Sequence, residues 1–144
     1  MIPSEILGSG NMVAHGVDIV DLGAFSRLIR LLQGTMLWDR YYTRSEWEEA
    51  GSGRHIEKLG SRFAVKEAVL KALGTGWGSG IAFSDVEVIT LLTGAPSVAL
   101  HRKPKALAAS LGITKWLVSA SHTRTFAIAS VIALSGSSAT NRLS

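Results

Sequence analysis

The chain has 144 residues, 47% of them hydrophobic and 18% charged, which is enough for one domain with a real core and excludes a disordered composition. It contains no cysteine, so disulfides, thiolate metal sites and a cysteine nucleophile are excluded, and a reducing compartment fits. The net charge of +4 is unevenly placed: nine Lys and Arg stand against eleven acidic residues up to Glu87, and six stand against none from Val88 onward. Such asymmetry points to an anionic partner, whether nucleic acid, a phosphorylated cofactor or an acidic protein.

No apolar run reaches the length of a membrane span. Residues Met1–Met12 have no basic n-region and no long apolar stretch of the signal-peptide kind. They read as a loosely ordered extension, and the cytoplasm is the expected location. Val13–Val20 is β-branched and apolar, which predicts a buried strand. Asp18 interrupts it, and a carboxylate among apolar neighbours must be paired, hydrogen-bonded or bound to a metal. Asp21 precedes Leu22, Phe25, Leu28, Ile29 and Leu32, whose helical spacing makes Asp21 the expected N-cap. Arg27 and Arg30 lie on that helix, either simply solvated or facing an acidic partner. After the aromatic stretch of Trp38, Tyr41 and Tyr42, a short helix is expected at Thr43-Arg44-Ser45-Glu46, with Thr43 or Ser45 as its cap.

The longest predicted helix runs from about Arg54 to Leu73, with Gly74 as its stop. It is largely apolar but carries Lys66, Glu67 and Lys71. Glu67 and Lys71 are four apart and share a face, which allows a plain salt bridge or a joint grip on a metal ion and phosphates. Gly74 to Gly80 holds four glycines in seven residues. It is a flexible connector or a loop whose amides approach an anion, but neither a P-loop nor a dinucleotide fingerprint. Asp85–Leu91 and Ser97–Leu100 read as a strand pair around the turn Thr93-Gly94-Ala95-Pro96. Lys103–Leu111 reads as a helix with Pro104 in its first turn. Lys115–Ser121 and Thr125–Leu134 read as a second strand pair, joined by Ser121-His122-Thr123-Arg124, and Ser135–Ser144 as a polar tail. The order predicts one α+β domain over residues 13–134, with a largely antiparallel sheet and a long central helix.

Three places carry chemistry: Asp18, the helix bearing Lys66, Glu67 and Lys71, and His122. Two carboxylates with water suit Mg²⁺, and a lysine beside them suits phosphate. The motifs Gly16-Val17-Asp18-Ile19-Val20, Arg62-Phe63-Ala64-Val65-Lys66-Glu67-Ala68, Lys71-Ala72-Leu73-Gly74-Thr75-Gly76, Asp85-Val86-Glu87-Val88, Gly94-Ala95-Pro96 and Ser119-Ala120-Ser121-His122-Thr123 fall in one order. Together they resemble the holo-acyl-carrier-protein synthases, the small trimeric 4′-phosphopantetheinyl transferases, over roughly Ala14 to Leu134.

The resemblance implies the 4′-phosphopantetheinyl transferase fold. It also implies an activity: transfer of the phosphopantetheine arm of coenzyme A to a serine of apo-acyl carrier protein in fatty acid biosynthesis, with adenosine 3′,5′-bisphosphate leaving. It makes Asp18 and Glu67 ligands of Mg²⁺, Lys71 a phosphate contact, and Gly74, Thr75 and Gly76 a surface against coenzyme A. It places Ser121, His122 and Thr123 at the nucleotide end. Arg27 and Arg30 become the docking points for the acidic helix of the carrier. A homotrimer is implied, with each active site between subunits. Glu67, directly or through a water, is the candidate base. The chain departs from the family in having Leu70 where many members have serine, Val65 for the usual alanine and Ser61 for a frequent glycine. A small basic nucleic-acid-binding module without enzymatic activity is the alternative; the basic C-terminal half supports it, but no nucleic-acid motif does.

Overall fold

The computed structural model describes residues 11–51, 55–76, 78 and 80–136. Strand β1 (Met12–Asp21) leads directly into helix α1 (Leu22–Leu32). A 3₁₀ turn (Met36–Arg40) and helix α2 (Arg44–Ala50) precede the central helix α3 (His55–Ala72). A second 3₁₀ turn (Phe83–Asp85) opens the strand pair β2 (Val86–Thr90) and β3 (Pro96–Leu100). Helix α4 (Arg102–Ser110) then leads to β4 (Ile113–His122) and β5 (Phe126–Ser135). This is the expected order of elements. The tail from residue 137 and the extension up to residue 10 lie outside the described residues.

All strand pairing is antiparallel, in two separate sheets: a three-stranded one ordered β1-β5-β4 and the β2-β3 hairpin. Pairing of Asp18 with Ala129, and of Ala129 with Ala120, sets the register across the larger sheet. Its inner face is built from Gly16, Val20, Ala127, Ala129, Val131 and Ala133, all buried. These small residues let α3 lie close on the sheet. The approach is tightest at Gly16, where a Cβ would stand 2.0 Å from the carbonyl oxygen of Ala68. No side chain fits there, so glycine is a packing requirement of the strand. Gly60 does the same on the other flank of α3, where a Cβ would meet Leu22 at 2.4 Å and so lets α1 pack against the helix.

The local signals act as expected. Asp21 Oδ1 accepts from the amides of Gly23 and Ala24 and caps α1. Thr43, not Ser45, caps α2 in a reciprocal box with Glu46. The glycine turn ends α3 in a Schellman motif: Gly74 N–H donates to Lys71 O at 3.0 Å, and Thr75 N–H to Leu70 O at 3.0 Å, with Gly74 at φ +78°. Asp85 is not a strand residue; it sits in the 3₁₀ turn, accepts from Ala82 N–H and is gripped by Arg102.

Candidate active site

Helix α3 carries its charges on different sides. Lys66 points into the core and its side chain is fully buried. Its ammonium donates to Glu46 Oε1 at 2.8 Å, Phe83 O at 3.1 Å and Val86 O at 2.5 Å. Glu46, equally buried, also accepts from the amides of Thr43 and Val88. Burial lowers Lys66 to about 8 in spite of the Glu46 carboxylate beside it. Lys66 therefore ties α2 and β2 to α3 and stands apart from the phosphate chemistry that its neighbours in sequence suggested.

Glu67, one residue on, faces the other way. It lines a cavity of about 280 Å³ with Asp18, Ile19, Val20, Asp21, Ala24, Phe25, Leu28 and Phe63. Strand β1 supplies Asp18 to this cavity, α3 supplies Glu67, and α1 roofs it. The two carboxylates thus come from elements held together at Gly16. Burial raises the pKa of Glu67 and the charge of Asp18 raises it further, while Lys71 opposes both. Lys71 does not pair with Glu67 across one turn of helix. Its ammonium crosses to β1 and donates to Asp18 Oδ1 at 2.7 Å and Val17 O at 3.1 Å. That contact raises the lysine's own pKa.

Among the described residues no three His, Asp or Glu side chains cluster as a metal set. The donor set is instead two carboxylates open to a solvent-accessible cavity. That suits a hard cation which keeps most of its waters or binds phosphate oxygens, and the mutual repulsion recorded in Glu67 is what such a cation would relieve.

The other sequence-predicted residues lie elsewhere. His122, at the exposed end of β4, lines a separate cavity of about 220 Å³ with Lys58, Ser61, Arg62, Val65, Val88, Thr90, Pro96 and Ala120. This cavity lies on the opposite flank of α3, toward β4, so His122 and Glu67 do not meet within one chain. Ser121 and Thr123 are exposed; Thr123 Oγ1 accepts from the amides of Thr125 and Phe126 and shapes the hairpin turn. Thr75 lines a third cavity, of about 450 Å³, with Ile81, Lys103, Ala106 and Leu107. Arg27 and Arg30 are exposed on α1, the helix over the carboxylate cavity.

Lys58 and Arg62 are cations that the sequence reading did not assign to a site. Arg62 bonds Glu49 at 2.9 Å, yet its Nε and the Ser61 hydroxyl are buried without a hydrogen-bond partner. The available signal was Arg62 opening the motif that contains Glu67, with Lys58 one turn earlier.

The profile of the 4′-phosphopantetheinyl transferase superfamily matches residues 14–130. The holo-[acyl-carrier-protein] synthase of Geobacter sulfurreducens is 40% identical over 119 residues, covering 81% of this chain and 93% of that protein. The holo-[acyl-carrier-protein] synthase of Edwardsiella ictaluri is 39% identical over 119 residues, covering 82% and 94%. Among solved structures, the synthase of Neisseria meningitidis superposes with a TM-score of 0.75 at 28% identity, over 85% of this chain and 98% of that one. The Helicobacter pylori synthase, in complex with coenzyme A, gives a TM-score of 0.70 at 27% identity, over 84% and 99%. With profile, sequence and fold in agreement over the same residues, the chain belongs to the holo-acyl-carrier-protein synthase family of the 4′-phosphopantetheinyl transferase superfamily.

Proposed function

We propose that the protein transfers 4′-phosphopantetheine from coenzyme A to a serine of apo-acyl carrier protein, supplying fatty acid biosynthesis with holo-carrier and releasing adenosine 3′,5′-bisphosphate. The observation that carries this reading is the meeting of Asp18 and Glu67 in one cavity, with Lys71 bonded to the Asp18 carboxylate. Phosphoryl transfer asks the protein chiefly for positioning and charge neutralisation. Asp18 and Glu67 would hold Mg²⁺, which when bound supplies neutralising charge to the pyrophosphate oxygens. Glu67, its pKa raised by burial, accepts the proton of the incoming serine hydroxyl. Lys71 turns to the phosphates and takes up charge on the leaving bisphosphate. Arg27 and Arg30, exposed on the helix that contributes Ala24, Phe25 and Leu28 to the cavity, suit an acidic helix of the carrier. The nucleic-acid-binding alternative finds no support in the relatives.

The working unit is a homotrimer in this reading, with each active site shared between neighbouring subunits. Val17, Ile19, Phe126 and Ile128 are 44–62% exposed on the outer face of the larger sheet, an apolar surface that association would cover. The His122 cavity, with Lys58, Arg62 and unpartnered polar atoms of Ser61 and Arg62, suits the nucleotide end of a coenzyme whose pyrophosphate lies at the carboxylates of the next subunit. Gly74 to Gly76 lie beside Lys71 at the helix end and border the coenzyme. We infer a cytoplasmic location, where coenzyme A and carrier would meet the protein.

Intact-mass spectrometry tests the transfer. With Mg²⁺ and coenzyme A, an apo-carrier should gain one phosphopantetheine; no gain with several carriers, in Mg²⁺ or Mn²⁺, would refute the reading. Arg27→Glu should weaken carrier binding about tenfold and leave coenzyme A binding unchanged, as titration of each ligand would report. Mixing inactive His122→Ala and Glu67→Gln chains should restore part of the activity if sites are shared, whereas sites built within one chain would stay dead.

A further inference from the structure

We propose that Lys71 is an internal stand-in for the divalent cation, so that metal and coenzyme phosphates bind as a coupled pair and not independently. This rests on the reading of Asp18 and Glu67 as the metal ligands. The Asp18 side chain is only 10% exposed, and a carboxylate so placed needs a positive partner. Among the described residues its sole hydrogen-bond and ion-pair partner is Lys71, at 2.7 Å. The ammonium is steadied by a second acceptor, the Val17 carbonyl at 3.1 Å. Asp21 also lines the cavity, but its Oδ1 is taken up capping α1. No lysine or arginine is among the residues that line the cavity, so Lys71 is the cation at its edge, held to Asp18.

A metal ion arriving alone must therefore displace the ammonium from Asp18. The freed lysine then faces a dication with no new anion to hold. Phosphates arriving with the metal remove that penalty, because they offer the lysine a second partner. The lysine is able to make this exchange because its side chain is 56% exposed and rooted at the last turn of α3. Because the ammonium stands largely in solvent, the pair is a contact that can be traded. Linkage makes the effect mutual: whatever factor the coenzyme adds to metal affinity, the metal adds to coenzyme affinity.

The test uses Mn²⁺ as probe, titrated by electron paramagnetic resonance against the full chain with and without coenzyme A. Wild type should bind Mn²⁺ weakly alone and at least about tenfold more tightly with coenzyme A, within the usual range of such couplings. Lys71→Met and Lys71→Gln should bind Mn²⁺ alone about tenfold more tightly than wild type, with the coupling reduced by a similar factor. Lys71→Arg, which keeps the charge, should stay weak. Arg27→Met measures the effect of removing a nearby charge that does not touch Asp18, and should shift affinity less than twofold. Equal or weaker Mn²⁺ binding by both neutral Lys71 variants overturns the proposal. So does an Arg27→Met effect as large as theirs. Asp18→Asn and Glu67→Gln separate the levels. If both lose Mn²⁺ while the Lys71 variants match wild type, only the coupling fails; if neither loses it, the metal site fails as well.

Discussion

Lys66 and Lys71 stand five residues apart on one helix, and each holds one carboxylate. The pair of Lys66 with Glu46 has both side chains fully out of water, whereas in the pair of Lys71 with Asp18 the lysine is more than half exposed. The chemistry of the two contacts is the same, so their different roles come from surroundings. The buried ammonium has two carbonyls as well as its carboxylate and no alternative partner to leave for. The exposed one has water and, in the proposed reaction, phosphate. One pair fixes where α3 sits and the other is free to be exchanged, so a helix that must not move delivers a side chain that must.

That contrast can be broken most severely at Lys66. Lys66→Met should cost about 3–5 kcal/mol, because it leaves Glu46 charged and buried without its cation. Urea unfolding measures the loss, and replacing Glu46 by Leu in the same chain should recover only part of it, because the amides of Thr43 and Val88 then lose their acceptor. A loss under about 1 kcal/mol would show that the buried pair is not what anchors the helix. Next in size is Glu67→Gln, which should slow transfer about 10²- to 10³-fold while the urea midpoint stays at the wild-type value. A fall in that midpoint would show that Glu67 anchors the fold, as Lys66 does, and would count against the role proposed for it.

A subtler test uses pH. Lys66 is lowered from the ordinary lysine value of 10.5 to about 8 by burial. Between those values the unfolded chain binds more protons than the folded one, so stability should rise with pH across this window. The rise should be roughly 3 kcal/mol, measured against the Lys66→Met, Glu46→Leu double variant, in which it should be missing. The smallest effect belongs to Lys71→Met, which should lower the unfolding free energy by about 1 kcal/mol, because Asp18 loses its cation but keeps an opening to the cavity. A large loss there would mean that the exposed pair is structural after all.

What was legible in the sequence followed from rules that act over a few residues. Asp21 and Thr43 as caps and Gly74 as a helix stop depend on backbone amides and carbonyls no more than a turn or so away. Asp18 and Glu67 were legible as a pair because their motifs recur in one order, although no spacing says that they meet. The partners of the lysines were not legible. The i, i+4 rule offered Glu67 to Lys71, but β1 brings Asp18 within 2.7 Å, and a nearly buried carboxylate competes better than one across a helical turn. Glu46 and Lys66 are 20 positions apart, and nothing in either segment marks a charge that folds inward. The split of His122 from Glu67 was hidden for a related reason. Periodicity gives the faces of α3 but not which neighbour covers each one.

Gly16 has no side chain to offer a ligand, yet its contact with α3 sets the spacing of the strand and helix that carry the two carboxylates. The distance from β1 to α3 is set there by backbone against backbone, with no side chain that could rotate, compress or be trimmed. A methyl at this point would act as a shim, lifting the strand that carries Asp18 away from the helix that carries Glu67 and leaving each side chain intact. The spacing of the two carboxylates is thus held by the absence of a Cβ, at a residue that a search for charged side chains would pass over.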